Sequence, residues 1–363
     1  MKRRVYLHVG TMKTGTTFIQ TLLRANTDIL AANGVIFPPE QTRAVREVLG
    51  LGGASGDSWD RLVASVEASG GTGLVSMEFL SYVGPQRSAA VLESLKAFEV
   101  HVVLTVRDTV SLLPSQWQTA LLAGGQLSWD QYAGDIARGV EGSPAVASFD
   151  RAQKISRIMR AWADPLPADR VHVVTVPPSG SAPGELWRRF AGETGLEQLD
   201  LDDTKVKSNP SLGLESCEVL RRLNASLVDM DRYDRRWWAR RLARTVLAPR
   251  RHDEGRPTIS AEIVEFGAAH NRRVRKEVQR RGIDVVGSWS DLPEEPDHSR
   301  VTDERPLDAE LLLGSARAAF AWIQRHPQAP RAVRRTDQDD PEALIAEVAD
   351  VLRMSAHGIA QRS

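Results

Sequence analysis

Residues 4–20 read RVYLHVGTMKTGTTFIQ, and the rest of the fold is arranged around this stretch. Residues 5–9 form a short apolar run with β-branched side chains, which is typical of a buried strand. Gly10 ends the run, and a helical pattern begins near Phe18. A strand, a turn with glycine and a hydroxyl-rich helix start make up the layout of a phosphate-binding loop. The N–H groups and the dipole of a helix N-terminus both favour an anion there.

The position of the lysine separates this loop from the usual nucleoside triphosphate loop, which reads G-x-x-x-x-G-K-[ST]. Gly10 and Gly15 keep the spacing of the two glycines, but Thr16 stands where the lysine belongs. The lysine lies inside the loop instead, at Lys13. In that place it would reach over a shorter ligand, with one 5′-phosphate group and a substituent on it. An ordinary strand–turn–helix with incidental threonines is the alternative.

This stretch resembles the 5′-phosphosulfate loop of the PAPS-dependent sulfotransferases, whose co-substrate PAPS is 3′-phosphoadenosine 5′-phosphosulfate. The resemblance is carried by five consecutive residues, Lys13, Thr14, Gly15, Thr16 and Thr17. It implies that these residues bind PAPS and, after the sulfuryl group has been transferred, the product PAP. It also implies a second role for Lys13, because a fixed ammonium group stabilises the charge that builds on the leaving 5′-phosphate.

The rest of the chain predicts an α/β fold. Apolar runs at residues 73–78, 101–106 and 171–176 alternate with helical patterns, and a small last strand is expected near residue 285. Such alternation indicates a mostly parallel central sheet with helices on both faces. Together with the family resemblance, it predicts a P-loop-like sandwich of three layers that ends in a helical C-terminal part.

The domain organisation follows from a change of pattern after residue 199, where helical spacing takes over. Residues 292–306 are charged and rich in proline, as linkers are. We therefore expect a sulfotransferase domain over residues 1–290. A linker and a helical extension should occupy residues 291–363.

Arg107 and Ser115 form a second polar cluster at a strand end, the place where open α/β sheets bind ligands. Arg107 closes the run at residues 101–106, and Ser115 follows eight residues later in a helical pattern. The 3′-phosphate site of the family is similar, with an arginine that ends a strand and then a serine. An arginine donates two hydrogen bonds to phosphate oxygens, and a serine hydroxyl donates another. A surface arginine and an ordinary helix serine are the alternative.

Glu78 ends the second strong apolar run. Sulfuryl transfer to a hydroxyl needs a base that takes the proton. The carbohydrate-type branch of the family often uses a glutamate near this strand end, and Glu78 resembles that base. A capped turn, or an ion pair with Lys13 or Arg107, is the alternative. His8 competes for the role of base, although its alternation with apolar residues also fits a packed core histidine.

Two further segments are open to more than one interpretation. Lys207 and Ser208 precede a helix and resemble the family segment that returns over the cofactor, where they would touch the 3′-phosphate. A helix N-cap at Ser211 explains the same residues. Residues 232–251 are dense in arginine and include two tryptophans. They fit either a solvated basic helix with inward tryptophans or a surface for an acidic or sugar acceptor.

Composition limits the classes of function. The 363 residues are 42% hydrophobic and carry no net charge, so a large core is possible and nucleic acid is not an expected partner. Cys217 is the only cysteine, which excludes a disulfide framework and a thiolate metal cluster. Because no set of ligand residues has metal-binding spacing, we expect no metal. Neither a secretory segment nor a membrane-length apolar run is visible, so we expect a cytoplasmic protein without a membrane span.

The sequence thus predicts a sulfotransferase that moves a sulfuryl group from PAPS to a hydroxyl of a carbohydrate or small metabolite. The chain lacks the proline before Lys13, the tryptophan after Thr17 and the histidine base motif of the cytosolic enzymes, which leaves the class of acceptor open. The oligomeric state is open as well. A P-loop kinase or NTPase is the second hypothesis and would need magnesium and a lysine directly after Gly15. A non-catalytic nucleotide-binding module is the third, and it would bind PAP without turnover.

Overall fold

The computed structural model describes residues 2–51, 56–203, 211–303, 305–325 and 339–360 of the chain. Within these ranges six strands form one sheet: β1 (Arg4–His8), β2 (Val35–Ile36), β3 (Thr72–Ser76), β4 (Glu99–Val106), β5 (Val171–Thr175) and β6 (Val285–Val286). Their order is β2-β3-β1-β4-β5-β6, and every neighbouring pair is parallel. The α/β fold predicted from the alternating pattern is confirmed.

Fifteen α-helices lie in the described ranges. Those up to β5 are α1 (Thr16–Ala25), α2 (Thr27–Ala32), α3 (Gln41–Val48), α4 (Ser58–Ser69), α5 (Pro85–Ser94), α6 (Thr109–Leu122), α7 (Trp129–Arg138), α8 (Pro144–Gln153) and α9 (Ile155–Trp162). The later ones are α10 (Glu185–Thr194), α11 (Leu214–Ser226), α12 (Arg232–Leu242), α13 (Ala261–Gln279), α14 (Ala309–Gln324) and α15 (Pro341–Ala360). No helix in the described part of the chain has both the length and the apolar character that crossing a bilayer requires.

Each face of the sheet carries its own apolar core, because successive side chains of a strand point to opposite faces. On one face Val5 and Leu7, both fully buried, pack with residues of α3, α4, α5, α9 and α13. On the other face Tyr6 packs with residues of α1, α2 and α10. Helices therefore cover both faces, which gives the three layers that the sequence predicts.

The order of the strands reverses around the central strand β1. From β1 the chain crosses through α1 and α2 to the edge strand β2, whereas from β3 it crosses past β1 to β4. The register pairs His8 with Ser76 of β3 and with Val103 of β4, so the carboxyl ends of the three strands lie side by side. In open α/β sheets such a reversal forms the ligand-binding crevice.

Two local features differ from the pattern in the sequence. The helical spacing over residues 16–32 is divided at Asn26, whose Nδ2 donates to the carbonyl oxygens of Leu22 at 2.8 Å and Asp202 at 3.0 Å. The strand formed by the apolar run at residues 73–78 is shorter than the run itself. It ends at Ser76, and Glu78 begins a 3₁₀ helix (Glu78–Tyr82).

The chain forms two compact units. The first takes its described residues from Met1–Leu112, Ala147–Ser208 and Val264–Asp297, and it contains the whole sheet. The second takes them from Leu113–Val146, Asn209–Ile263 and His298–Ser363. The chain thus enters the second unit three times, and the proline-rich residues 292–306 run from one unit into the other.

The second unit has a buried polar centre at Glu254. Its carboxylate accepts hydrogen bonds from the Ser216 hydroxyl at 2.8 Å and from the Ser315 hydroxyl at 2.5 Å. Ser216 belongs to α11 and Ser315 to α14. The helix α14 is therefore bonded to the interior of this unit.

Candidate functional site

The loop that follows β1 has an unusual backbone. Gly10 and Gly15 have φ angles of 69° and 83°, which suit glycine. Lys13 also has a positive φ, of 66°, which an L side chain seldom adopts and which costs free energy. Such conformations persist where the surrounding structure fixes them, and they are concentrated at binding sites.

Neighbouring elements hold this loop from two sides. The Thr11 N–H donates to the carbonyl oxygen of Thr105 at 2.8 Å, which extends the β1–β4 ladder into the loop. The Gln153 side chain, at the end of α8, donates to the carbonyl oxygen of Met12 at 2.8 Å. The turn that contains Lys13 is therefore anchored to both β4 and α8.

A buried chain of hydrogen bonds supports the loop from below. Thr14 Oγ1 donates to the carbonyl oxygen of Thr11 at 2.7 Å and lies 2.6 Å from Thr105 Oγ1. His8 Nε2 lies 3.2 Å from Thr105 Oγ1, and His8 Nδ1 lies 2.8 Å from Ser76 Oγ. One set of protons satisfies every contact: Ser76 donates to Nδ1 of a neutral imidazole, Nε2–H donates to Thr105, and Thr105 donates to Thr14.

His8 has the environment of a structural histidine. Its side chain is fully buried against Phe190, with ring centroids 4.9 Å apart, and burial lowers its pKa to about 3. The lone pair of the unprotonated Nδ1 accepts the hydrogen bond from Ser76. This position disfavours His8 as the base and favours the packed histidine that the alternation of residues also allows.

The side chain of Thr14 is also fully buried. Thr16 and Thr17, by contrast, are the first two residues of α1. Gly15 precedes this helix, no side chain caps the first turn, and the first turn contains no acidic residue. The hydroxyls of Thr16 and Thr17 form no hydrogen bond within the described residues. The N–H groups and hydroxyls at this helix start are therefore available to an anion.

Glu78 lies directly against the loop. A Cβ placed on Gly10 would lie 3.1 Å from the Cβ of Glu78 and 3.1 Å from the Cγ2 of Thr16, so this glycine permits the close approach. Glu78 Oε2 accepts a hydrogen bond from Gln20 Nε2 of α1 at 2.7 Å. The carboxylate is thus held by a neutral amide of α1.

Two basic side chains lie beside the 3₁₀ helix that carries Glu78. Arg157 Nη2 donates to the carbonyl oxygen of Ser81 at 2.8 Å, and burial lowers the pKa of its guanidinium. Burial raises the pKa of Tyr82, and the charge of Glu78 raises it further, while Arg151 and Arg157 act in the opposite direction. Positive charge is therefore close to the glutamate.

Arg107 follows the last residue of β4 and meets the loop. Its Nη1 lies 3.4 Å from the carbonyl oxygen of Lys13. Burial lowers the pKa of Arg107, and the neighbouring Asp108 raises it. Two cationic side chains, Lys13 and Arg107, are thus brought to the same end of the sheet.

Three other residues are predicted at the 3′-phosphate. Ser115 belongs to the second unit, where its carbonyl oxygen accepts from Thr119 Oγ1 at 3.0 Å. Lys207 and Ser208 lie outside the described residues. Among the predicted site residues that the structure describes, the first unit brings together the loop, Glu78 and Arg107.

Sequence reasoning missed the residues that support the site. Gln20, Ser76, Thr105 and Gln153 all bond to the loop, to His8 or to Glu78. Only two of them could have been found from pattern. Ser76 and Thr105 are polar positions inside apolar strands, and buried polar groups need partners.

Among the described residues, no three His, Cys, Asp or Glu side chains are grouped as metal ligands would be. Comparison of the chain with protein-family models, with curated proteins and with solved structures finds no match.

Proposed function

We propose that the chain is a PAPS-dependent sulfotransferase that transfers a sulfuryl group to a hydroxyl of a carbohydrate or small-metabolite acceptor. The observation that carries this proposal is the loop between β1 and α1. It combines the K-T-G-T-T run with a left-handed Lys13, an uncapped helix start and Arg107 close by. The residues present fit an anionic phosphosulfate group at the carboxyl end of the central strand.

Each residue of the cluster has a role in this proposal. Lys13, Gly15, Thr16 and Thr17 bind the 5′-phosphosulfate group, and Lys13 stabilises the charge on the leaving phosphate. Thr14 shapes the loop from inside. Arg107 binds the 3′-phosphate, and Glu78 takes the proton of the acceptor hydroxyl. Ser115, Lys207 and Ser208 remain candidates for the 3′-phosphate on the family resemblance alone.

A P-loop kinase or NTPase is supported by the same strand–loop–helix arrangement. That class places a lysine directly after the second glycine, where this chain has Thr16. The position of Lys13 therefore favours PAPS over a nucleoside triphosphate. A non-catalytic PAP-binding module shares the cofactor site with the first proposal and differs only in the absence of turnover.

Thermal melting tests the proposal. PAP without added metal should raise the melting temperature, because a ligand at a hundredfold excess over its Kd stabilises the native state by about 2.7 kcal/mol. Adenosine 5′-phosphosulfate, which lacks the 3′-phosphate, provides the comparison for Arg107→Ala. This variant should lose roughly tenfold or more in affinity for PAP and much less for the analogue. Stabilisation by ATP with magnesium, and not by PAP, would show that the family is wrong.

A further inference from the structure

A basic and aromatic surface on α12 is independent of the site described above. Residues 232–251 contain eight arginines and a single acidic residue, in a chain whose net charge is zero. Positive charge is therefore strongly concentrated in one segment of the second unit.

The exposed side chains of α12 lie on one face of the helix. Tyr233, Trp237, Arg240 and Arg241 are spaced at i, i+4, i+7 and i+8, which places them on one stripe. The opposite face, with Trp238 and Leu242, is buried, and Trp238 packs edge-on against Trp322 of α14 at 5.9 Å. The helix is thus held by its inner face, and the stripe is directed outward.

Four arginines lie in or next to this stripe in the sequence. Arg232, Arg240, Arg241 and Arg244 are exposed, and within the described residues none of them has a carboxylate partner. The guanidinium of Arg241 lies over the Trp237 ring instead, 5.2 Å from its centroid. An anionic partner would therefore meet several unpaired positive charges at once.

Apolar side chains are exposed along the same segment of the chain. Tyr233 is 73% exposed, Trp237 is 46% exposed, and Val228, in the turn before α12, is 61% exposed. Tyrosine and tryptophan are enriched at membrane–water interfaces, because one end of each ring system is apolar and the other is polar. An aliphatic side chain such as Val228 gains nothing from a sugar or phosphodiester chain, but it gains from entry into the boundary of a bilayer.

We propose that this surface, defined by Val228, Tyr233, Trp237, Arg240, Arg241 and Arg244, binds the face of an anionic lipid bilayer. The arginines would pair with lipid phosphate and carboxylate groups, and the two rings would enter the headgroup layer. The association is peripheral and reversible, and it does not depend on the proposed sulfotransferase activity.

Co-sedimentation of the full chain with lipid vesicles tests this proposal. The protein should bind vesicles of phosphatidylcholine with about one third phosphatidylserine at low salt, and bind pure phosphatidylcholine at least roughly tenfold more weakly. Binding should also weaken steeply at higher salt, since screening shortens the reach of exposed charges. Equal binding to both vesicles, or none to the anionic ones, would overturn the proposal.

Two variants separate the charged and the apolar contributions. The double variant Arg240→Glu with Arg241→Glu should lower the partition coefficient at least about thirtyfold. The double variant Tyr233→Ser with Trp237→Ser should lower it roughly tenfold while the preference for anionic lipid remains. Undiminished binding by either variant contradicts the proposal. Thermal melts identify any variant that has lost its fold.

The chain offers a matched control on α3. Arg43 and Arg46 are also exposed, lie on one helix and have no carboxylate partner among the described residues. Arg43→Glu with Arg46→Glu changes the net charge by the same amount and should leave vesicle binding unchanged. An equal loss in this control would mean that total charge, and not the α12 surface, drives binding. Capture by soluble heparin without binding to either vesicle would assign the surface to a polyanionic chain instead.

Discussion

Glu78 and Lys13 have different tasks in the proposed reaction, and their variants should therefore fail in different ways. Glu78 acts only while a proton is moving, so Glu78→Gln should keep PAP affinity and lose turnover by roughly 10²–10⁴-fold. Lys13→Ala should lose both, because the lysine touches the phosphate before and during transfer. PAP titration and the pH dependence of kcat/KM measure the two effects.

The glutamine substitution also suits the observed contact with Gln20. An amide at position 78 can still accept the hydrogen bond that Glu78 Oε2 now accepts from Gln20, so the local structure is preserved. The acidic limb of the kcat/KM profile should disappear in Glu78→Gln. A normal turnover with that limb intact would remove Glu78 from the role of base.

Thr105 links the buried histidine to the loop, and its hydroxyl should matter more than its volume. Thr105→Val keeps the shape but leaves His8 Nε2–H without an acceptor and Thr14 Oγ1 without a donor. We expect a loss of about 1–3 kcal/mol in the free energy of unfolding. The amides of the loop should also exchange hydrogen faster, because Thr14 is no longer held from below.

Thr105→Ser is the matched control for this variant. It keeps the hydroxyl and removes one methyl group, which costs about 0.8 kcal/mol in buried area. Loop exchange and PAP affinity should stay close to those of the unchanged chain in the serine variant and fall in the valine variant. The same exchange rates in both variants would show that the hydrogen-bond chain does not position the loop.

At the scale of elements, local pattern was enough for β1, the loop and α1. Their apolar run, glycines and hydroxyls are neighbours in sequence, so the turn and the helix start could be predicted without tertiary structure. The helix α3 was not predicted, because most of its surface is polar and only Ala44 and Val45 among its apolar residues are fully buried. Short helices of this kind depend on packing more than on pattern.

The site was predictable only in part, for a related reason. Lys13, Glu78 and Arg107 each follow a strand, and parallel strands bring their carboxyl ends to one edge. The contact of Thr105 with Thr14, by contrast, depends on the register of β1 against β4, which pairs His8 with Val103. A single sequence does not carry that register, and so the supporting chain below the loop could not be foreseen.

At the scale of the whole molecule, two neutral histidines of the first unit, the buried His8 and the partly buried His270, link folding to pH. Burial lowers the pKa of His8 to about 3. Burial and the charge of Arg273 lower that of His270 to about 4, beside Phe149 at 5.1 Å. Both groups take up protons near pH 6.5 when the chain unfolds, but not while it is folded. The unfolded state therefore binds more protons below pH 6.5, and stability must fall as the pH is lowered.

Urea unfolding of the first unit should show this loss between pH 6.5 and pH 5. Each histidine contributes about 1.6 kcal/mol over that interval, or about 3 kcal/mol together, a large share of a typical domain stability. Carboxylates with lowered pKa, such as Glu185 at about 2 beside Arg188 and Arg189, lose their contribution only below about pH 4.5 and so do not mask the effect. Above pH 5, the change in the free energy of unfolding with pH therefore comes from the histidines.

Replacing one histidine at a time shows how much of this pH dependence each residue causes. His8→Gln and His270→Gln should each remove a large share of the pH dependence, because each removes one proton from the difference between the folded and unfolded states. His101, whose pKa is also lowered by burial, contributes part of the remainder. A free energy of unfolding that stays constant from pH 6.5 to pH 5 would mean that His8 is protonated in the folded state. The neutral chain from Ser76 through His8 to Thr14 would then be wrong, since a second ring proton would face the Ser76 hydroxyl.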